Sequence, residues 1–166
     1  GREVKQLVSL VDVVPTLLET AEIVLPDGLQ GCSLLPLLDQ RAPDWRDSVF
    51  IQISETEIGR AVRTEDWMYG VVGADGDPWE DIASSAYSGT YLYDLKADPF
   101  ELHNLINYLS HQSIEIELQK RLSFHMQQAG EVDFTLLPSP AAKSDYNTLM
   151  AEDQYPYFPQ EMKKFR

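Results

Sequence analysis

Apolar and polar positions along this chain change period several times, and each change marks an element. The stretch Leu7 to Ala21 opens with a β-like Leu7-Val8 pair and passes into helical spacing, with Val14, Leu17, Leu18 and Ala21 on one side. Asp12 stands where an N-cap would, and Pro15 falls at the third helical position, where its missing N–H takes nothing from the ladder. The pattern predicts a helix from Val13 to Glu22, ended in turns by Pro26, Asp27, Gly28 and Gly31. Ser33 to Leu38 is long enough for one helical turn. The polar run from Gln40 to Arg46, with Pro43, reads as a linker.

The period then shortens. Val49, Ile51 and Ile53 alternate with Phe50 and Gln52, which predicts a strand from Ser48 to Ser54 with one face well buried and the other partly so. Arg60 to Thr64 and Trp67 to Val72 read as a hairpin across Glu65-Asp66. Gly73 to Gly89 breaks the pattern as a loop, and extended structure resumes from Thr90 to Leu95. Ile114, Leu118, Leu122, Met126 and Ala129 return to helical spacing, with Ser113 as N-cap, Glu115 and Glu117 in the first turns and Gly130 past the end. From Glu131 onward prolines and aromatics suggest an extended tail. The class is α+β: a small antiparallel sheet of about four strands packed against a C-terminal helix, preceded by another helix.

Composition narrows the functions. At 166 residues the chain amounts to about one domain with a modest core. Thirteen basic against 27 acidic residues give a net charge of −14, which opposes binding to nucleic acid without a strong local basic patch. A single cysteine excludes an internal disulfide but does not fix the compartment. No apolar run approaches the length of a membrane span, and no signal peptide is visible.

Candidate chemistry is sparse. Asp94, Asp98 and Glu101 could be suspected of holding a hard cation, but carboxylates in a turn also hydrogen-bond their own backbone. Asp75-Gly76-Asp77 with Asp81 lacks the longer alternation and the twelfth-position glutamate of an EF-hand loop. His103, His111 and His125 show no helical pairing, which argues against zinc, and His125 near the end of its helix suits the dipole. Trp79 and Tyr87, on the long loop, are aromatics suited to sugar or aromatic substrates. Arg60 and Arg63 stand three apart on one strand, hence on opposite faces.

The run Tyr91 to Leu105, YLYDLKADPFELHNL, closely resembles a signature near the C-terminus of sulfatases, with Tyr93, Asp94, Asp98, Pro99, Glu101 and Asn104 at the family's spacing and Leu95 and Leu105 in its apolar slots. Upstream, VSLVDVVPTLLETAEIVLP followed by DGLQGCSLLPLL looks like the close of the large catalytic domain, and GRAVRTEDWMYGVV resembles the strand pair carrying an arginine-threonine. The resemblance covers roughly residues 4 to 128. It implies that residues 1–46 are the end of the catalytic domain and a linker, 47–130 the C-terminal subdomain and 131–166 a tail.

Sulfatases, members of the alkaline phosphatase superfamily, hydrolyse sulfate esters with a formylglycine made from cysteine and with a divalent metal, usually calcium. The resemblance implies that both belong to a catalytic domain upstream, so no catalytic and no metal-binding residue is assigned in this chain. Cys32 is followed by Ser33, Leu34, Leu35 and Pro36 and lacks the arginine four positions on that the modification needs. The implied partner is that catalytic domain, with self-association through the exposed apolar stretch of residues 8 to 38 as the alternative for the isolated chain. The implied jobs are completing the parent's core and shaping substrate choice through Arg60, Arg63, Trp79 and Tyr87, while the six signature residues are structural. Two other readings fit: a non-catalytic assembly module, and the C-terminal part of a related phosphoester or phosphonate hydrolase.

Overall fold

The computed structural model describes residues 3–39 and 44–137. Within them five strands form one sheet in the order β1 (Ser48–Ser54), β2 (Ile58–Thr64), β3 (Trp67–Gly73), β4 (Ala86–Asp94) and β5 (Thr135–Leu137). The first four are antiparallel, as the alternating pattern and tight turns predict. The fifth is a correction: residues 135–137, expected in the tail, run parallel to β4 with Tyr87 opposite Leu136. Leu136 and Phe134 pack against the core, and that apolar contact draws the segment onto the sheet. The rest of the expected tail, from 138, lies outside the described residues.

One helix, α3 (Gln112–Gln128), covers one face of the sheet. Its Leu118, Leu122 and Met126 are buried against Ile58, Val62, Tyr69, Val71, Tyr87 and Leu92. Ser113 is not the N-cap. A 3₁₀ turn, Leu109–His111, feeds straight into the helix, so Ser113 becomes its second residue and His111 stands at the cap.

Strand β4 begins at Ala86, four residues before the predicted Thr90, because a bulge hides its alternation. Gly70 pairs with Tyr91 but Val71 pairs with Gly89, leaving Thr90 as the extra residue. Tyr87 and Leu92 therefore both face α3 although their numbers differ in parity. The predicted burial of β1 is corrected too. Val49 is buried, but Ile51 and Ile53 stay 45% exposed, because no described element covers that end of the face turned away from α3.

Before the sheet, a 3₁₀ turn (Leu10–Asp12) leads into α1 (Val13–Thr20), and α2 (Leu35–Leu38) is the predicted single turn. Pro15 is the third residue of α1, as expected, whereas the Leu7-Val8 pair forms no strand. Asp12 is not a side-chain cap for α1. Its carboxylate is taken up elsewhere.

Candidate functional site

Arg60 lies on the α3 side of β2 and Arg63 on the opposite face, as their spacing requires. Arg60 is 4% exposed. Its guanidinium donates to the Glu131 carboxylate and to the carbonyls of Gly59 (2.8 Å), Ile53 (3.3 Å) and Ile82 (2.5 Å). Tyr87 is fully buried beside it. Its hydroxyl donates to Glu131 Oε2 at 2.8 Å and accepts the Ser84 N–H at 3.0 Å. Burial pushes the Tyr87 phenol above its ordinary pKa, and the Glu131 carboxylate adds to the rise. Buried charge needs this many partners, and here they join β2, the loop after β3 and the segment leading to β5. As substrate-contact candidates, Arg60 and Tyr87 present almost no surface in this structure.

The loop between β3 and β4 spans residues 74–85 and is organised by its own acids. Asp75 accepts from the hydroxyls of Ser84 and Ser85 and from the Ser85 N–H. The two hydroxyls hold its carboxyl below the usual range. Asp81 Oδ2 accepts the Asp77 N–H at 2.8 Å and Asp77 Oδ1 the Trp79 N–H at 2.9 Å. These hydrogen bonds make the acids the loop's own framework. Among the described residues no three His, Cys, Asp or Glu side chains converge as a metal site. Trp79 stands outside the loop's framework, 78% exposed, with Ile82 exposed nearby in sequence.

The signature run closes the sheet's far end. Asp94 Oδ1 accepts the N–H groups of Lys96 and Ala97, and Asp98 Oδ2 accepts the His103 N–H at 2.7 Å. Asn104 donates to the Thr90 carbonyl at the bulge and accepts from Leu92 and Ile106 N–H, so one amide ties the returning chain to β4. Pro99 sits in the exposed turn, and Tyr93 stacks on Tyr91 with ring centroids 6.5 Å apart. Glu101, at φ 56°, pairs with Arg63 at 2.8 Å, half-exposed on the face away from α3. This links the arginine strand to the signature.

Sequence reasoning missed two groups. Glu131 stands where the sequence pattern predicts the start of a tail. Asp12 is fully buried, and its carboxylate accepts the N–H groups of Ser9 (2.8 Å) and Cys32 (2.9 Å) and pairs with Arg46 at 2.8 Å. Burial alone would raise its pKa, but these donors outweigh burial and hold it low. A lone carboxylate inside the apolar run LVDVVPTLL was the available signal. Cys32 itself is exposed. His125 stacks on Phe50, its Nε2 lies 3.0 Å from Ser48 Oγ, and burial lowers its pKa. Around these anchors the N-terminal stretch stays bare: Leu10, Leu17 and Val24 are 88%, 63% and 90% exposed.

Three comparisons agree on what this arrangement is. A family described as N-sulphoglucosamine sulphohydrolase, C-terminal, matches residues 1–128. Human arylsulfatase K is 35% identical over 115 residues, covering 63% of this chain and 20% of that protein. An N-acetylglucosamine-6-O-sulfatase of Bacteroides thetaiotaomicron is 29% identical over 132 residues, covering 74% and 22%. Among solved structures, a protein in complex with its substrate D-glucosamine-2-N,6-O-disulfate superposes with TM-score 0.60 at 27% identity, over 74% of this chain and 24% of that one. A 2-O GAG sulfatase superposes with TM-score 0.56 at 26% identity, over 72% and 25%. The chain thus spans about a fifth to a quarter of the length of these relatives. The small sheet with its C-terminal helix, the signature run and the family match together make this chain a member of the N-sulphoglucosamine sulphohydrolase C-terminal family, the C-terminal region of a sulfatase.

Proposed function

We propose that this chain serves a larger sulfuric ester hydrolase by completing the fold of its catalytic domain and forming one edge of its substrate cleft. The supporting observation is the bare apolar stretch at the N-terminal end. Leu10, Leu17 and Val24 are held by the Asp12–Arg46 anchor yet face no described residue that buries them. Burying such a side chain is worth roughly 1.5–3 kcal/mol, so a partner surface is expected for this stretch. The partner in this reading is the catalytic domain of the same polypeptide. In the isolated chain, self-association through the same stretch is the substitute.

The calcium and the formylglycine belong, in this reading, to that domain. Cys32 lacks the arginine of a modification site, and the loop acids are already engaged. No chemical step is therefore assigned to residues of this chain. Their task is positional. Trp79, exposed on a loop that its own acids hold in shape, and Arg63, half-exposed beside Glu101, are the two specificity candidates with surface to offer. Similarity to an N-acetylglucosamine-6-O-sulfatase, to a protein solved with D-glucosamine-2-N,6-O-disulfate and to a 2-O GAG sulfatase favours sulfated sugars of glycosaminoglycan type as the substrate class.

The test is a kinetic ranking in the full-length parent across sulfated sugars and aryl sulfates. Trp79→Ala and Arg63→Ala are expected to change relative kcat/KM between substrates at nearly unchanged Tm. If both keep the wild-type ranking, the cleft-edge role is wrong and the chain acts as scaffold only.

A further inference from the structure

The sheet has two faces, and α3 covers only one. On the other, strand pairing lines up Ile51, Ala61, Gly70 and Tyr91 in one row across β1 to β4, with Ile53 beside Gly59 in the next. The first row is small in the middle and large at both ends, and in the second the large Ile53 stands beside Gly59. At Gly70 a Cβ would come within 3.1 Å of a Tyr91 ring carbon, so that ring already lies over the glycine. At Gly59 a Cβ would come within 2.7 Å of Ile53 Cγ2. Small residues here let two large side chains lean inward as walls. The result is an apolar trough of about 180 Å³ above β2, with Tyr91 on one side and Ile51 and Ile53 on the other.

We propose that this trough is a second docking point, a socket for an apolar side chain projecting from the catalytic part of the parent, separate from the N-terminal stretch. The proposal rests on the reading above that a catalytic domain is attached. Two arguments select that occupant over a second copy. Members of this family carry about three to four times as much polypeptide outside this region as inside it, given coverage of 20–24% in the relatives. A tethered domain meets the trough at an effective concentration that reaches about millimolar for short linkers. A second copy would instead bring together two chains of charge −14 each. The shape also fits: the walls rise from strands three spacings apart, about 14 Å, and the Tyr91 ring leaning over Gly70 narrows the gap toward the width of one bulky side chain.

Thiol alkylation tests it. Ile53→Cys, in a Cys32→Ser background, is made both in this 166-residue chain and in the full-length parent, with Ala61→Cys as a second position and Leu17→Cys as the reference on the N-terminal stretch. The socket predicts alkylation at 53 and 61 at least tenfold slower in the parent than in the chain alone. Equal rates at both positions overturn it. If Leu17→Cys is protected in the parent while 53 and 61 are not, the socket fails and the attached-domain reading stands. If all three stay reactive, both fail. Protection in the isolated chain that grows with its concentration also overturns the proposal, because the occupant is then a second copy.

Discussion

Asp12→Ala removes the carboxylate that fastens the N-terminal stretch, and its cost can be worked from three contacts. The side chain is fully buried and takes donors from Ser9, Cys32 and Arg46, each within 2.9 Å. Breaking a buried ion pair by deleting one partner costs about 3–5 kcal/mol. Arg46 keeps 22% of its side chain in water and can rehydrate, so the low end, about 3 kcal/mol, applies. That energy falls on residues 9–32 and not on the sheet, whose core residues do not include Asp12. Native-state hydrogen exchange should show amides in residues 9–32 losing protection by about a hundredfold, since about 1.4 kcal/mol is tenfold. Amides of β2, β3 and α3 should be unchanged. Asp12→Asn should do nearly as much damage, because one of its atoms then presents N–H groups to a donor. Unchanged protection in residues 9–32 would refute the anchor; equal loss in the sheet would refute its separateness.

Other expectations concern the subdomain itself. Tyr87→Phe removes the hydroxyl shared by Glu131 and Ser84, and should cost about 1–3 kcal/mol, read as a lower Tm with faster exchange at residues 131–137. Asp98→Ala frees the His103 N–H and should cost about 1 kcal/mol in a denaturant melt while leaving the parent's substrate ranking alone. His125 has its folded pKa below the unfolded 6.5 because burial disfavours the cation. Its contribution is therefore full above that value and falls as pH drops through 6.5 toward the lower folded value, so a pH series of melts on His125→Phe should show a flatter slope there than wild type.

What was legible in the sequence was whatever repeats. The stripe Ile114 to Ala129 and the alternation of β1 announced their elements because each residue answered to one period. The start of β4 is not legible, because Tyr87 stands alone among the small residues Ala86, Ser88 and Gly89 and the bulge at Thr90 switches the buried parity from Tyr87 to Leu92. Tyr87 looked like a loop aromatic for that reason. β5 was hidden by length, since three residues carry no periodicity and only packing of Phe134 and Leu136 fixes them. Of the candidate residues, the signature could be read from spacing, but the partners of Arg60 could not. Glu131 lies 71 residues away, and nothing local marks a carboxylate as the future mate of a buried guanidinium.

The central claim is that this chain completes a catalytic domain and does not carry the chemistry itself. Aryl sulfate turnover by the upstream part of the parent, titrated with the separate 166-residue chain, tests this most directly. The account predicts background rates from either piece alone and a saturable rise when they are mixed. Full turnover by the upstream part without this chain, or turnover by this chain on its own that survives repurification and vanishes with Cys32→Ala, would contradict it.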